Sequence, residues 1–143
     1  MYRRIFLDAN VLVDIYDSYR PFSRDSQKAV RYLLSQESVD LFTSCDIITT
    51  IYYLRAKHAK NQALEDIVHI NQICHIIEFS NTEVTRSCSL MKHDSRFSDL
   101  EDTLQYIMAK KIDADLILSN DRQFVSDEIA MMSTERFCRE MGL

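Results

Sequence analysis

The stretch Ile5–Asp17, IFLDANVLVDIYD, decides how the chain is read. Ile5, Phe6 and Leu7 run straight into the carboxylate of Asp8. Asn10 comes two positions later, and then Val11, Leu12 and Ile15 resume with helical spacing. A short continuous apolar run is the pattern of a strand covered on both faces, and a spacing of three and four is the pattern of a helix. The strand therefore ends at Asp8, and the chain turns there into its first helix. Open parallel sheets collect ligands beyond the carboxyl ends of their strands, which is where this ending puts Asp8.

The same alternation continues along the chain. Strands are expected at Arg3–Leu7, Val39–Thr43, His75–Phe79, Ala114–Leu118 and Ile129–Met132. Helical spacing covers Pro21–Gln36, Cys45–His58 and Ala63–Cys74, the last with Leu64, Ile67, Val68 and Ile70 inward. Ser80 with Glu83, and Ser98 with Glu101, read as capping boxes that open two further helices, to about Lys92 and Ile112. A short helix is expected at Asp121–Val125 and a closing one at Thr134–Met141. Short apolar strands separated by helices predict a parallel sheet of four to five strands flanked by helices, a three-layer α/β fold. At 143 residues the expectation is one domain with a real core.

Composition removes several classes of function. The single glycine, Gly142, rules out a glycine-rich phosphate loop and a GxSxG serine elbow. A net charge of −5 argues against a broad basic surface that coats nucleic acid. It leaves room for a nuclease, because carboxylates gathered around a divalent cation account for several of those charges. Cys45, Cys74, Cys88 and Cys138 form no CxxC pair, which predicts small buried thiols and no zinc site. No apolar run approaches the roughly 20 residues that cross a bilayer. MYRRIFLDAN does not read as a signal peptide, so a cytoplasmic protein is expected.

The carboxylates carry the chemistry. Asp8 follows the first strand, and Asp121 lies three residues beyond Leu118 in SNDRQF. In FSDLEDTLQYIMAKK, Leu100, Leu104, Ile107 and Met108 mark a buried stripe. Asp99 and Asp102 are three apart in that helix's first turn, and the topology brings them toward the end of the sheet that holds Asp8 and Asp121. Buried like charges repel, and a compensating cation is the way a fold keeps them together. With no histidine or cysteine in the set, the cation expected is a hard one, Mg²⁺ or Mn²⁺, bound by a few carboxylates and several waters. Such a site hydrolyses phosphodiesters. Structural roles stand beside these: Asp8 and Asp121 as caps, Asp99 and Asp102 as complements to the helix dipole, Glu101 as half of a capping box. Asp14, Asp17, Asp113 and Asp115 read as solvated, and His58, His69, His75 and His93 as surface residues. RAKHAK at Arg55–Lys60 and the pair Lys110–Lys111 suit helix C-termini, or else a local phosphate track.

These residues together resemble PIN-domain ribonucleases, including the toxin halves of VapC-type toxin–antitoxin pairs. LDANVLVD is similar to the family's opening strand, which puts Asp8 at the first acidic position with Asn10 supporting it. DLEDTLQYIMA is similar to the middle helix, with Asp102 at the main acidic position and Asp99 at an extra one. SNDRQF is similar to the T/S-x-D-x-x-F element, with Asp121 at the fourth acidic position beside the Ser119 hydroxyl. The resemblance implies an RNA substrate, a homodimer and a small antitoxin partner that blocks the acidic site. There is one departure: in SCDIITTIYYL, Thr50 stands where the family carries a glutamate, and Asp46 lies one turn earlier on the same face. Thr50 admits a second reading, a PIN-like binding module with weakened catalysis. A third reading, an aspartate-nucleophile phosphatase of the haloacid-dehalogenase type, needs an acid at position 10, where Asn10 stands.

Overall fold

The computed structural model describes all 143 residues. Five strands form one sheet: β1 (Arg4–Leu7), β2 (Asp40–Ser44), β3 (His75–Ile77), β4 (Leu116–Leu118) and β5 (Met131–Met132). The order is β3-β2-β1-β4-β5, and every pairing is parallel. Parallel neighbours need long crossovers, and helices supply those from β1 to β4, while residues 119–130 join β4 to β5 without one. The crossover helices are α1 (Ala9–Tyr16), α2 (Ser23–Leu34), α3 (Ile47–Ala56), α4 (Lys60–Ile73), α5 (Asn81–His93) and α6 (Leu100–Lys111); α7 (Thr134–Met141) closes the chain. No helix is long and apolar enough to cross a membrane.

The central strands are apolar at Ile5–Leu7 and Leu116–Leu118 because both faces are covered there. Ile5, Leu7, Leu116 and Leu118 pack into one core with residues of α1, α2, α3, α4 and α7. Phe6 and Ile117, the residues between them, point the other way, into a second core with Tyr106, Ile107 and Met108 of α6. The period of two thus divides one apolar run between two layers. The chain walks outward from β1 to β3, then returns to place β4 on the other side of β1. The strand order reverses between β1 and β4, and a crevice opens at their carboxyl ends.

Several local expectations change. Asp121–Val125 is a turn, not a helix. The Asp121 side chain accepts from the Gln123 backbone N–H at 2.8 Å, and this local bond closes an Asx turn that competes with helix formation. The cap of α6 is Asp99 and not Ser98: its carboxylate accepts from the Asp102 N–H at 2.9 Å, and the helix starts at Leu100. Leu100 consequently faces solvent. Ser80 caps α5 with no side-chain hydrogen bond, and Glu83 instead meets Lys111 of α6 at 2.5 Å. That ammonium holds the Glu83 carboxyl below its ordinary range. On α4 the inward residues are Ala63, Asp66 and Ile70, and Leu64 and Val68 face outward. Ile70 is buried and Ile67 partly buried as expected, and Asp66 takes an inward place through its pairing with Arg55 of α3 at 2.8 Å.

Only two of the four cysteines are buried, Cys74 and Cys138; Cys45 is half-buried, Cys88 is exposed on α5, and all four are free. Burial pushes the Cys74 thiol up to about 12, so it is an inert packing group. The largest correction concerns Asp14. It is 1% exposed, not solvated. It lies one turn beyond Val11 on α1, and Arg20, Ser26 and Asn120 all donate to it.

Candidate active site

Asp8 is positioned from three directions. It sits one residue beyond β1 and caps α1, its Oδ1 accepting from the Ala9 N–H at 2.6 Å. Its Oδ2 accepts from the Asn10 amide at 2.5 Å and from the Ser119 hydroxyl at 2.6 Å. Only 3% of the residue is exposed. Burial raises its carboxyl pKa, and the bonds from Ser119, Ala9 and Asn10 oppose that rise.

The segment after β4 completes the support. The Asn120 N–H donates to Asn10 Oδ1 at 3.0 Å, and the Asp121 N–H to Ser119 Oγ at 3.1 Å. Asn120 also reaches inward. Its amide donates to Asp14 at 2.7 Å and to Ser26 at 3.0 Å, and its oxygen accepts from the backbone and hydroxyl of Thr134. Asn120 belongs to the SNDRQF motif, but no local pattern there announces this role.

Asp8, Asp99, Asp102 and Asp121 line one cleft of about 320 Å³, together with Glu101. Asp102 is half-buried, and its carboxyl is pushed up to about 7, first by burial and then by the charges of Asp8, Asp99, Asp121 and Glu101. Glu101 is also raised, by burial and then by Asp46, Asp99 and Asp8. Glu101 therefore faces the acidic cluster, where its place in a capping box predicts a structural role alone. Thr50 and Asp46 do not line the cleft, although Leu54 on the same helix does. The Asp46 carboxylate is engaged by the Ser44 hydroxyl.

Arg20 and Gln105 are among the further lining residues that the sequence does not single out. Arg20 comes from the loop between α1 and α2, where periodicity is silent. Gln105 lies three and four positions after Asp102 and Glu101, a spacing that does place it on their side of α6. Gln105 is 1% exposed, and its Oε1 is the one enclosed side-chain polar atom in the chain without a hydrogen-bond partner.

A family model described as the PIN domain matches residues 4–123. The chain belongs to the PIN-domain family. It is 47% identical over 135 residues to Ribonuclease VapC1 of Aquifex aeolicus, across 94% of this chain and 93% of that one. Solved structures share the PIN fold at low identity. Mycobacterium tuberculosis VapC20, a Sarcin-Ricin loop cleaving toxin, superposes with a TM-score of 0.69 at 12% identity, covering 84% of this chain and 92% of that chain. A chain of VapBC2 from Rickettsia felis, bound to a DNA fragment from their promoter, gives 0.71 at 14% identity, covering 91% and 98%. In this PIN domain the acidic cleft lies at the β1–β4 switch point, where the strand order reverses.

Proposed function

We propose that this PIN-domain protein is a divalent-metal-dependent endoribonuclease and the toxin of a toxin–antitoxin pair, acting in the cytoplasm. The observation that carries the reading is the gathering of Asp8, Asp99, Glu101, Asp102 and Asp121 around one cleft. The 47%-identical ribonuclease supports RNA as the substrate. The toxin–antitoxin assemblies among the structural neighbours support a small antitoxin partner. Apolar side chains at the surface of α3 and α4, with Leu64 57% exposed, support protein contacts, including those of a homodimer.

The donor set fits a hard cation. One or two of Asp8, Asp99, Asp102 and Asp121 would hold Mg²⁺ or Mn²⁺ directly, and the others through bound water. No three acidic, histidine or cysteine side chains are close enough to hold an ion unaided. That suits Mg²⁺, which keeps several of its waters and takes only one or two carboxylates directly. The unpartnered Gln105 oxygen gives an ordered water in the cleft a place to donate. When bound, the cation lowers the pKa of a water and neutralises charge on the phosphate.

The chain's own residues set the geometry. Ser119 and Asn10 fix the Asp8 carboxylate, so it does not reorganise when substrate arrives. Asp99 holds the first turn of α6, and with it Asp102, at the cleft. Val13 and Leu54 supply an apolar wall. The weakened-module reading rests on Thr50, yet Glu101 adds to the cleft the negative charge that Thr50 lacks. A phosphatase nucleophile at Asp8 has no acid at position 10 and no lysine lining the cleft.

The test is cleavage of a mixed-sequence, end-quenched RNA with Mg²⁺, with Mn²⁺ and with EDTA. Asp102→Asn, purified identically, controls for contaminating ribonuclease. Metal-dependent cutting that disappears in the variant supports the reading. No cutting by the unmodified protein, or equal cutting by both, contradicts it.

A further inference from the structure

We propose that Arg20 is the site's phosphate anchor, binding an RNA backbone phosphate next to the one that is cleaved. The inference rests on the nuclease reading and adds a substrate contact to it. Arg20 is the one cation among the residues lining the cleft. Its Nε donates to Asp14 Oδ1 at 2.5 Å. Asp14 is itself 1% exposed and is held from the other side by Asn120 at 2.7 Å and Ser26 at 3.2 Å. The guanidinium is therefore fixed through one nitrogen and one only. Its two terminal nitrogens make no hydrogen bond within the protein, and its side chain is 37% exposed.

A planar guanidinium with two free donors matches the oxygens of a phosphate, and prior fixation lowers the ordering cost of binding. The cleft needs such a group. Five carboxylates repel a polyanion, and a cation held among them would neutralise the reacting phosphate and leave its neighbours uncompensated. The hydrogen bonds running from Asp14 through Asn120 to Asn10 and Asp8 also set Arg20 in register with the reacting position.

The experiment measures binding of a fluorescently labelled mixed-sequence RNA oligonucleotide by anisotropy, over a range of salt and with Mg²⁺. All proteins carry Asp102→Asn to silence cleavage. Arg20→Gln alone leaves Asp14 buried without its cation and lowers stability, so the double variant Asp14→Asn/Arg20→Gln is measured beside it. The expected result is an affinity about 10-fold weaker in both, with a salt slope reduced by about one contact, while the double variant recovers thermal stability. A double variant that binds within about twofold of the Arg20-intact protein overturns the assignment and leaves Arg20 as the partner of Asp14 alone. Cleavage by the protein with Asp102 restored is scored separately, so the nuclease reading can fail while the anchor stands. Absence of RNA binding by the Arg20-intact protein overturns both.

Discussion

The Ser119 hydroxyl donates to Asp8 Oδ2 at 2.6 Å across 111 positions of sequence, and both residues are buried. This bond joins the ends of β4 and β1 at the point where the strand order reverses. It also makes the charged form of Asp8 easier to hold. Ser119→Ala removes a charge-assisted bond to a buried carboxylate and is expected to cost about 1.5–3 kcal/mol of stability. Urea denaturation near neutral pH reads this directly. Ser119→Thr, which keeps the hydroxyl, should lose less than Ser119→Ala.

Asn120 should matter more than its position in a loop suggests. Its side chain makes hydrogen bonds to Asp14, Ser26 and Thr134, joining α1, α2 and α7. Asn120→Ala leaves several buried polar groups without partners and is expected to cost about 2–4 kcal/mol. The same denaturation series checks it, with the exposed Asn71→Ala as a control expected to stay within about 0.5 kcal/mol.

The acidic cleft should make stability fall as pH rises. The Asp102 carboxyl moves from its ordinary 3.8 up to about 7 in the fold. Between those values the folded chain binds more protons than the unfolded one, so stability declines through that window and the deficit persists above it. Asp102 is half-buried, so solvent screening limits the effect to on the order of 1 kcal/mol. Asp102→Asn without metal is therefore expected to raise the melting temperature at about pH 8 by about 2–4 °C and to flatten the decline between about pH 4 and 7. A lower melting temperature for the variant at that pH contradicts this.

Glu101 and Thr50 make opposite forecasts. Glu101 lines the cleft and feels the charges of Asp46, Asp99 and Asp8, whereas Thr50 does not line it. Glu101→Gln should weaken Mn²⁺ binding several-fold and reduce cleavage, and Thr50→Ala should change neither by more than about twofold. Calorimetric titration of both variants decides between them. A larger loss at Thr50 would restore importance to the helix after β2.

How far a sequence of this kind can be read depends on whether the relevant forces are local. Ile5–Leu7 and Leu116–Leu118 lead into loops that carry acids, so β1, β4, Asp8 and Asp121 are legible from apolar runs and the residues ending them. Asp99 and Asp102 are legible from their helical spacing. The cap of α6 is ambiguous by one position, because Ser98 and Asp99 are both good caps with an acid three residues on. Asp14 is not legible. A carboxylate on a short helix reads as solvent-facing, and only Arg20, Ser26 and Asn120, drawn from three other segments, make its burial tolerable. Hydropathy points Leu64 and Val68 inward with Ile67 and Ile70, yet the inward stripe of α4 runs through Ala63, Asp66, Ile67 and Ile70, with Asp66 paired to Arg55. Glu101 is hidden by its resemblance to half of a capping box.

The functional reading stands on these carboxylates converging to hold a divalent cation. Titration of Mn²⁺ into the purified protein, followed by electron paramagnetic resonance, tests it without reference to any substrate. Saturable binding is expected, lost or weakened at least about tenfold in both Asp8→Asn and Asp102→Asn, with Mg²⁺ competing. Binding unchanged in these variants, or absent from the unmodified protein, contradicts it.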